Sequence, residues 1–242
     1  MINERHISEK FSVIWKQNFP LLTSGFIRIF NDTQVELINS TPALTNEEIR
    51  YDLVSEGAFN LAEIIINKKV KAYDFLSDSK NANRLISKTA KSIWKTSEYS
   101  KKDLELTTEE FKDVLNITDN IVEFISKISG KNVQFRPKLR GYGFIPDLEG
   151  DILIDDTLYE LKTVTRNFKS SDLKQLFIYL ALQQVSDNSN WKYAGLYNPR
   201  KGTYSKFNIQ HLIYSLTGKT PNEAFEGLLN GLTRDIELDS KF

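Results

Sequence analysis

Gly150-Asp151-Ile152-Leu153-Ile154-Asp155-Asp156-Thr157-Leu158-Tyr159-Glu160-Leu161-Lys162-Thr163 carries the most information of any stretch in the chain. Two largely apolar runs flank Asp155-Asp156, residues that tolerate left-handed backbone geometry, and this is the pattern of a β-hairpin. With Asp155 and Asp156 as the loop, Ile154 faces Thr157, and counting back sets Asp151 opposite Glu160. Opposed side chains share a face with Cβ atoms roughly 5 Å apart. Lys162, two residues beyond Glu160, belongs to the same face. Two carboxylates and an ammonium therefore converge on strands that are otherwise apolar. Burying unpaired charge costs on the order of several kcal/mol, so the cluster needs a reason. A divalent cation between Asp151 and Glu160 supplies one, since Mg²⁺ takes one or two carboxylates together with water and phosphate oxygens. A Glu–Lys surface pair on an edge hairpin is the plainer reading of the same residues.

Composition narrows the chemistry. The chain has 242 residues, 40% hydrophobic and 26% charged, which suits a globular protein of one or two domains with a sizeable core. It has no cysteine, which removes disulfides, thiolate zinc sites, iron–sulfur clusters and cysteine nucleophiles together. His6 and His211 are far apart and lack metal-ligand spacing. Oxygen donors remain, and they favour Mg²⁺ or Mn²⁺ over zinc. No apolar run reaches the roughly 18 residues of a membrane span, and the polar start Met-Ile-Asn-Glu-Arg-His is not a secretory signal. A cytoplasmic protein is expected. Net charge is zero, but Glu160 to Lys206 holds eight Lys or Arg against Glu160, Asp172 and Asp187, so a basic surface can be local to this part. There is no Walker-type glycine loop, nucleophile elbow or dinucleotide fingerprint.

Elsewhere the pattern is mainly helical at first. Ile7 to Trp15 is amphipathic, and Gly25 to Ile38 reads equally as helix or strand. Thr45-Asn-Glu-Glu48 has the form of a capping box opening a helix to about residue 67. Helices are also expected from Asn81 to Trp94 and after Thr107-Thr-Glu-Glu110, the latter interrupted near Asn116 to Asn120 and stopped by Gly130. Val133 to Leu139 reads as a strand with Pro137 at an edge or bulge, and Arg140 to Ile145 as a flexible link. Thr163 to Lys169 is a polar, basic loop, with Ser170-Ser171 capping a helix to about Val185. Trp191 to Tyr197 and Thr203 to Phe207 are strands around the turn Asn198-Pro-Arg-Lys-Gly202. Helices beginning at His211 and Asn222 complete the chain.

Asp151, eight intervening residues and Glu160-Leu161-Lys162 resemble the Asp…(Asp/Glu)-x-Lys motif of the PD-(D/E)xK nuclease superfamily. The following helix, with Gln175, Leu176 and Tyr179, resembles the Gln-Leu-x-x-Tyr motif of its RecB-like branch. The resemblance implies an α/β restriction-endonuclease-like αβββαβ core, a mixed sheet flanked by helices, over residues 131–242. Residues 1–130 would be a mainly helical part lending one core helix, 45–67.

The implied activity is metal-dependent hydrolysis of phosphodiester bonds in DNA, or RNA, in bacterial defence or DNA processing. Asp151, Glu160 and the Leu161 carbonyl would hold Mg²⁺ or Mn²⁺. Lys162 would orient or deprotonate water or hold developing negative charge, the last being favoured because metal and carboxylates would keep it protonated. Gln175 would bind phosphate or water, although a polar residue on a helix edge accounts for it equally. Tyr179, Arg166 and Lys169 would contact substrate. Val54-Ser-Glu-Gly-Ala-Phe resembles the glycine-containing first core helix of this branch, which offers Glu56 or Glu63 as a further ligand. If the helix ending at Gly130 is the first core helix instead, Glu110 or Glu123 takes that place. Pro146-Asp147 invites reading as the "PD" of the name, but the hairpin register sets Asp147 opposite Val164, beyond the carboxylate pair. The alternative is a catalytically silent or partner-dependent subunit of the same fold that binds DNA or assembles a complex. A homodimer or a partner protein suits either reading.

Overall fold

The computed structural model describes residues 4–40, 48–94, 104–128, 130–186 and 191–239. The elements are α1 (Glu4–Lys10), α2 (Ser12–Asn18), α3 (Ser24–Thr33), β1 (Glu36–Leu37), α4 (Tyr51–Lys68), α5 (Ala72–Ser77), α6 (Ser79–Ile93) and α7 (Thr108–Ile128). They continue with β2 (Val133–Phe135), β3 (Lys138–Leu139), β4 (Leu148–Glu149), β5 (Ile152–Ile154), β6 (Thr157–Leu161) and α8 (Ser170–Ser186). The chain closes with β7 (Tyr193–Asn198), β8 (Thr203–Asn208), α9 (Ile209–Thr217) and α10 (Pro221–Asp239).

The central hairpin forms in the expected register, with Ile154 opposite Thr157 and Ile152 opposite Tyr159. Asp155 takes the left-handed conformation at φ 51°. Its carboxylate accepts the backbone N–H groups of Lys131 and Asn132, which ties the approach to β2 onto the turn. The sheet has six strands in the order β1-β8-β7-β6-β5-β2. All pairs are antiparallel except β6 with β7, which run parallel across the α8 crossover. The sequential order is thus helix α7, three antiparallel strands, helix α8 and a parallel strand. This is a mixed α/β fold with helices on both faces of the sheet.

Alternation along the hairpin sends side chains to two different cores. Leu158, with Leu153, packs under α8 against Leu173, Leu176 and Phe177, together with Ile7, Trp15 and Phe19 of the N-terminal helices. Ile152, Ile154 and Tyr159 face the other way, into a layer built by Val54, Ala58 and Leu61 of α4 and Val114, Ile121 and Phe124 of α7. Residues before 130 therefore line both faces, and β1 extends the sheet beside β8. Gly195 of β7 lies under the Tyr159 ring, where an added Cβ would come within 2.6 Å of Cε1. No helix among the described residues is long and apolar enough to cross a membrane.

Several local expectations are corrected. The helix expected from Thr45 starts at Tyr51, with Glu48 in a turn ahead of it; Thr45 itself lies outside the described residues. The interruption at Asn116 to Asn120 is absent because α7 is continuous. Its buried polar groups find partners across the packing: Thr118 donates to the Ala58 carbonyl and Asn120 to that of Pro199. Val133 to Leu139 breaks into β2 and β3 at Arg136, whose φ of 49° ends the first ladder. Then β3 pairs with β4 in a separate two-stranded ribbon. The Gly25–Ile38 ambiguity resolves into both elements, α3 and then β1. Ser170 and Ser171 lie inside α8, and it is Asp172 that accepts the Lys169 N–H at 2.8 Å.

Candidate active site

Glu160 sits on β6 between β5 and β7, opposite Leu196 on the parallel side, with 2% of its surface exposed. Asp151 lies just before β5, and its position is fixed by two contacts. Its carbonyl accepts the Arg136 N–H at 2.8 Å, and its Oδ2 accepts the Leu161 N–H at 2.6 Å. The carboxylate thereby turns in beside that of Glu160, close enough for the two to share a hydrogen bond when one is protonated. Lys162, held at its backbone by the Tyr197 carbonyl, returns its side chain to the same spot. Its Nζ donates to Glu160 Oε1 at 2.8 Å and to Gln175 Oε1 at 2.6 Å. The Gln175 amide is oriented in turn, its Nε2 donating to the Tyr179 hydroxyl at 2.9 Å. One face of the hairpin and one turn of α8 thus make a continuous polar chain, Asp151–Glu160–Lys162–Gln175–Tyr179, in an apolar setting.

Electrostatics follow from burial. Desolvation first, and the neighbouring Glu160 charge second, push the Asp151 carboxyl well above its usual range. Desolvation also raises Glu160, against the pull of Lys162. Burial acts to lower the Lys162 ammonium, but Glu160 and Asp151 outweigh it and its value rises, so the lysine stays charged. Desolvation and the two carboxylates hold Tyr179 as a phenol.

The pair fits a cation. Glu160 Oε2 is buried and receives no hydrogen bond from the described residues; the Asp151 carboxylate lies beside Glu160, whose Oε1 pairs with the Lys162 ammonium. Oxygen donors of this kind suit Mg²⁺ or Mn²⁺. No group of three or more His, Asp or Glu forms among the described residues, so a cation here would complete its shell with backbone, water and phosphate oxygens. The Leu161 carbonyl belongs to the residue whose N–H already touches Asp151.

The other sequence candidates lie elsewhere. Glu56 and Glu63 project from α4, on the opposite face of the sheet. Both pair with Arg136, at 2.8 and 2.7 Å, so neither completes the carboxylate pair. Glu110 closes a capping box with Thr107 and binds Arg50, while Glu123 pairs with Lys127. Arg166 is clamped by both oxygens of Asp172, at 2.7 and 2.9 Å, and braces the loop before α8. Lys169 beside it presents an exposed side chain. Asp147 accepts the Gly141 N–H and shapes the loop ahead of β4. His211 is exposed in the first turn of α9.

One acid near the pair was not anticipated. Glu4 opens α1, which packs along α8, and its charge raises both Glu160 and Tyr179. Only the α1–α8 packing brings it there, and no motif marks it. Comparison with protein-family models, curated proteins and solved structures finds no match.

Proposed function

We propose that the chain is a metal-dependent nuclease of the PD-(D/E)xK kind, hydrolysing phosphodiester bonds of DNA. The observation that carries this reading is the convergence of Asp151, Glu160 and Lys162 on one face, with Gln175 and Tyr179 of α8 closing the same chain. The order helix, three antiparallel strands, helix, parallel strand is the order that the resemblance calls for. Helical capping or a surface ion pair does not account for two raised carboxyls, one with an unpartnered buried oxygen.

Mg²⁺ or Mn²⁺ held by Asp151, Glu160 and the Leu161 carbonyl would neutralise phosphate charge and make water more acidic. The chain's own residues divide the remaining work. Lys162 stays protonated, so it acts by holding negative charge that develops on the phosphate, not by removing a proton. Gln175 fixes the lysine's direction, and Tyr179 fixes the Gln175 amide so that its oxygen faces Lys162. Lys169 supplies an exposed positive charge for the strand backbone in the loop before α8.

The test is cleavage of linear and circular DNA by purified protein with Mg²⁺ or Mn²⁺, beside Asp151→Ala and Lys162→Ala. Metal-dependent cutting lost in both variants is the expected result. Equal cutting in all three proteins overturns the assignment of the site. Tight, salt-sensitive DNA binding without cutting moves the chain to the silent or partner-dependent subunit.

A further inference from the structure

On the sheet face opposite Asp151, helices α4, α5 and α6 enclose a groove of about 310 Å³. That is the lower end of the size of small-molecule sites, roughly 300–1,000 Å³. Three cations converge on it. Arg84 and Lys88 stand one helical turn apart on α6, and Lys68 comes from the last turn of α4. All three are exposed, and among the described residues no acidic side chain pairs with any of them.

The acid that does line the groove is spoken for. Glu63 is bound to Arg136 at 2.7 Å, and Asn60 gives its oxygen to Arg136 and its amide to Thr89. Positive charge is therefore left uncompensated on a concave surface, where mutual repulsion favours an anion. The rest of the lining is not that of a bare anion hole. Phe75 offers a half-buried ring, and Asn67 and Asn81 carry donor–acceptor amides beside it. Guanidinium and ammonium groups suit phosphate, a ring suits a planar base, and amides suit a base edge or a ribose.

We propose that this groove binds a nucleotide, with its phosphate on Arg84, Lys88 and Lys68 and its base on Phe75. The nucleotide is either free or one unit of a nucleic acid strand. The site is separate from the carboxylate pair and does not depend on the nuclease reading. Asn60 and Glu63 nevertheless hold Arg136, whose backbone N–H holds the Asp151 carbonyl, so one residue joins the groove to Asp151.

The test is calorimetric titration of the full chain, at physiological salt, with ADP, with pyrophosphate and with a short oligothymidylate. Wild type is compared with Arg84→Gln/Lys88→Gln and with Asp151→Asn, and circular dichroism checks that each variant is folded. Expected is saturable binding of ADP or the oligonucleotide, weakened about tenfold or more in the double variant, with ADP affinity unchanged in Asp151→Asn. Pyrophosphate should bind more weakly by a similar factor. Binding of ADP identifies a free nucleotide, whereas binding of the oligonucleotide alone identifies a strand. No binding, equal binding by the folded double variant, or pyrophosphate matching the better nucleotide probe overturns the proposal. Because Asp151→Asn is read separately, failure here is distinguishable from failure of the cleavage test.

Discussion

Lys162 has two oxygen partners in its own chain, and the difference between them defines what each does. Glu160 Oε1 keeps it charged, while Gln175 Oε1 sets its direction without adding charge. Removing Gln175 should therefore leave the lysine protonated but loosely aimed. A hydrogen bond to a charged group contributes about 1.5–3 kcal/mol, so Gln175→Ala should slow metal-dependent DNA cleavage by about 10- to 100-fold, with DNA affinity retained. An unchanged rate would return Gln175 to the status of a polar residue on a helix edge. The Asp151, Glu160 and Lys162 cluster was legible because hairpin periodicity needs only local counting: once Asp155-Asp156 forms the turn, the shared face follows. Glu4 was not legible, since its position depends on how α1 lies on α8, a contact between elements far apart in sequence. Glu56 misled for a related reason. The resemblance of Val54-Ser-Glu-Gly-Ala-Phe to a core helix offered it as a ligand, but alternation on β5 and β6 decides which sheet face α4 covers, and that face is the other one.

Elements were most legible where one periodicity spans many residues without a polar cluster, as in α8, and least legible where a single backbone angle intervenes. Arg136 is the clearest case. Nothing in Val133 to Leu139 announces that an arginine takes a left-handed conformation, yet φ 49° there separates β2 from β3 and sends the side chain to Glu56, Glu63 and Asn60. Side-chain pairing holds a backbone that L residues disfavour. Both Arg136→Ala and Arg136→Gly lose these ion pairs, but only alanine keeps the strain. Urea unfolding should thus find the glycine variant more stable than the alanine variant by about 1 kcal/mol. Equal midpoints would mean that the conformation costs nothing in this setting. At α7 the structure shows a capping box at the start of the helix: Thr107 Oγ1 accepts the Glu110 N–H, and Glu110 returns to the Thr107 N–H. Thr107→Ala should lower stability by about 1 kcal/mol in the same measurement, with no effect on cleavage.

The molecule as a whole buries two adjacent carboxylates between its sheet and α8, and their cost should be visible in its overall stability. In the metal-free protein both folded values are raised, Asp151 strongly by desolvation and by the neighbouring Glu160 charge, Glu160 by desolvation. The folded state thus binds protons more tightly than the unfolded chain, whose Asp and Glu titrate near roughly 4. As pH rises from that value through the folded values, the folded protein gives up protons it holds more tightly, so stability falls across this window. Asp151→Asn removes one of the two charges. Around neutral pH, thermal unfolding of the metal-free variant should therefore occur above that of wild type. A difference of about 1 kcal/mol corresponds to roughly 2–4 °C in a chain of this size, and the gap should close as pH approaches 4. Mg²⁺ binds only the folded protein if the pair is its seat, so it should raise the wild-type midpoint and leave the variant unmoved. A metal-free variant less stable than wild type at neutral pH would show that the Leu161 N–H contact outweighs the buried charge. An equal Mg²⁺ response in both proteins would place the cation elsewhere.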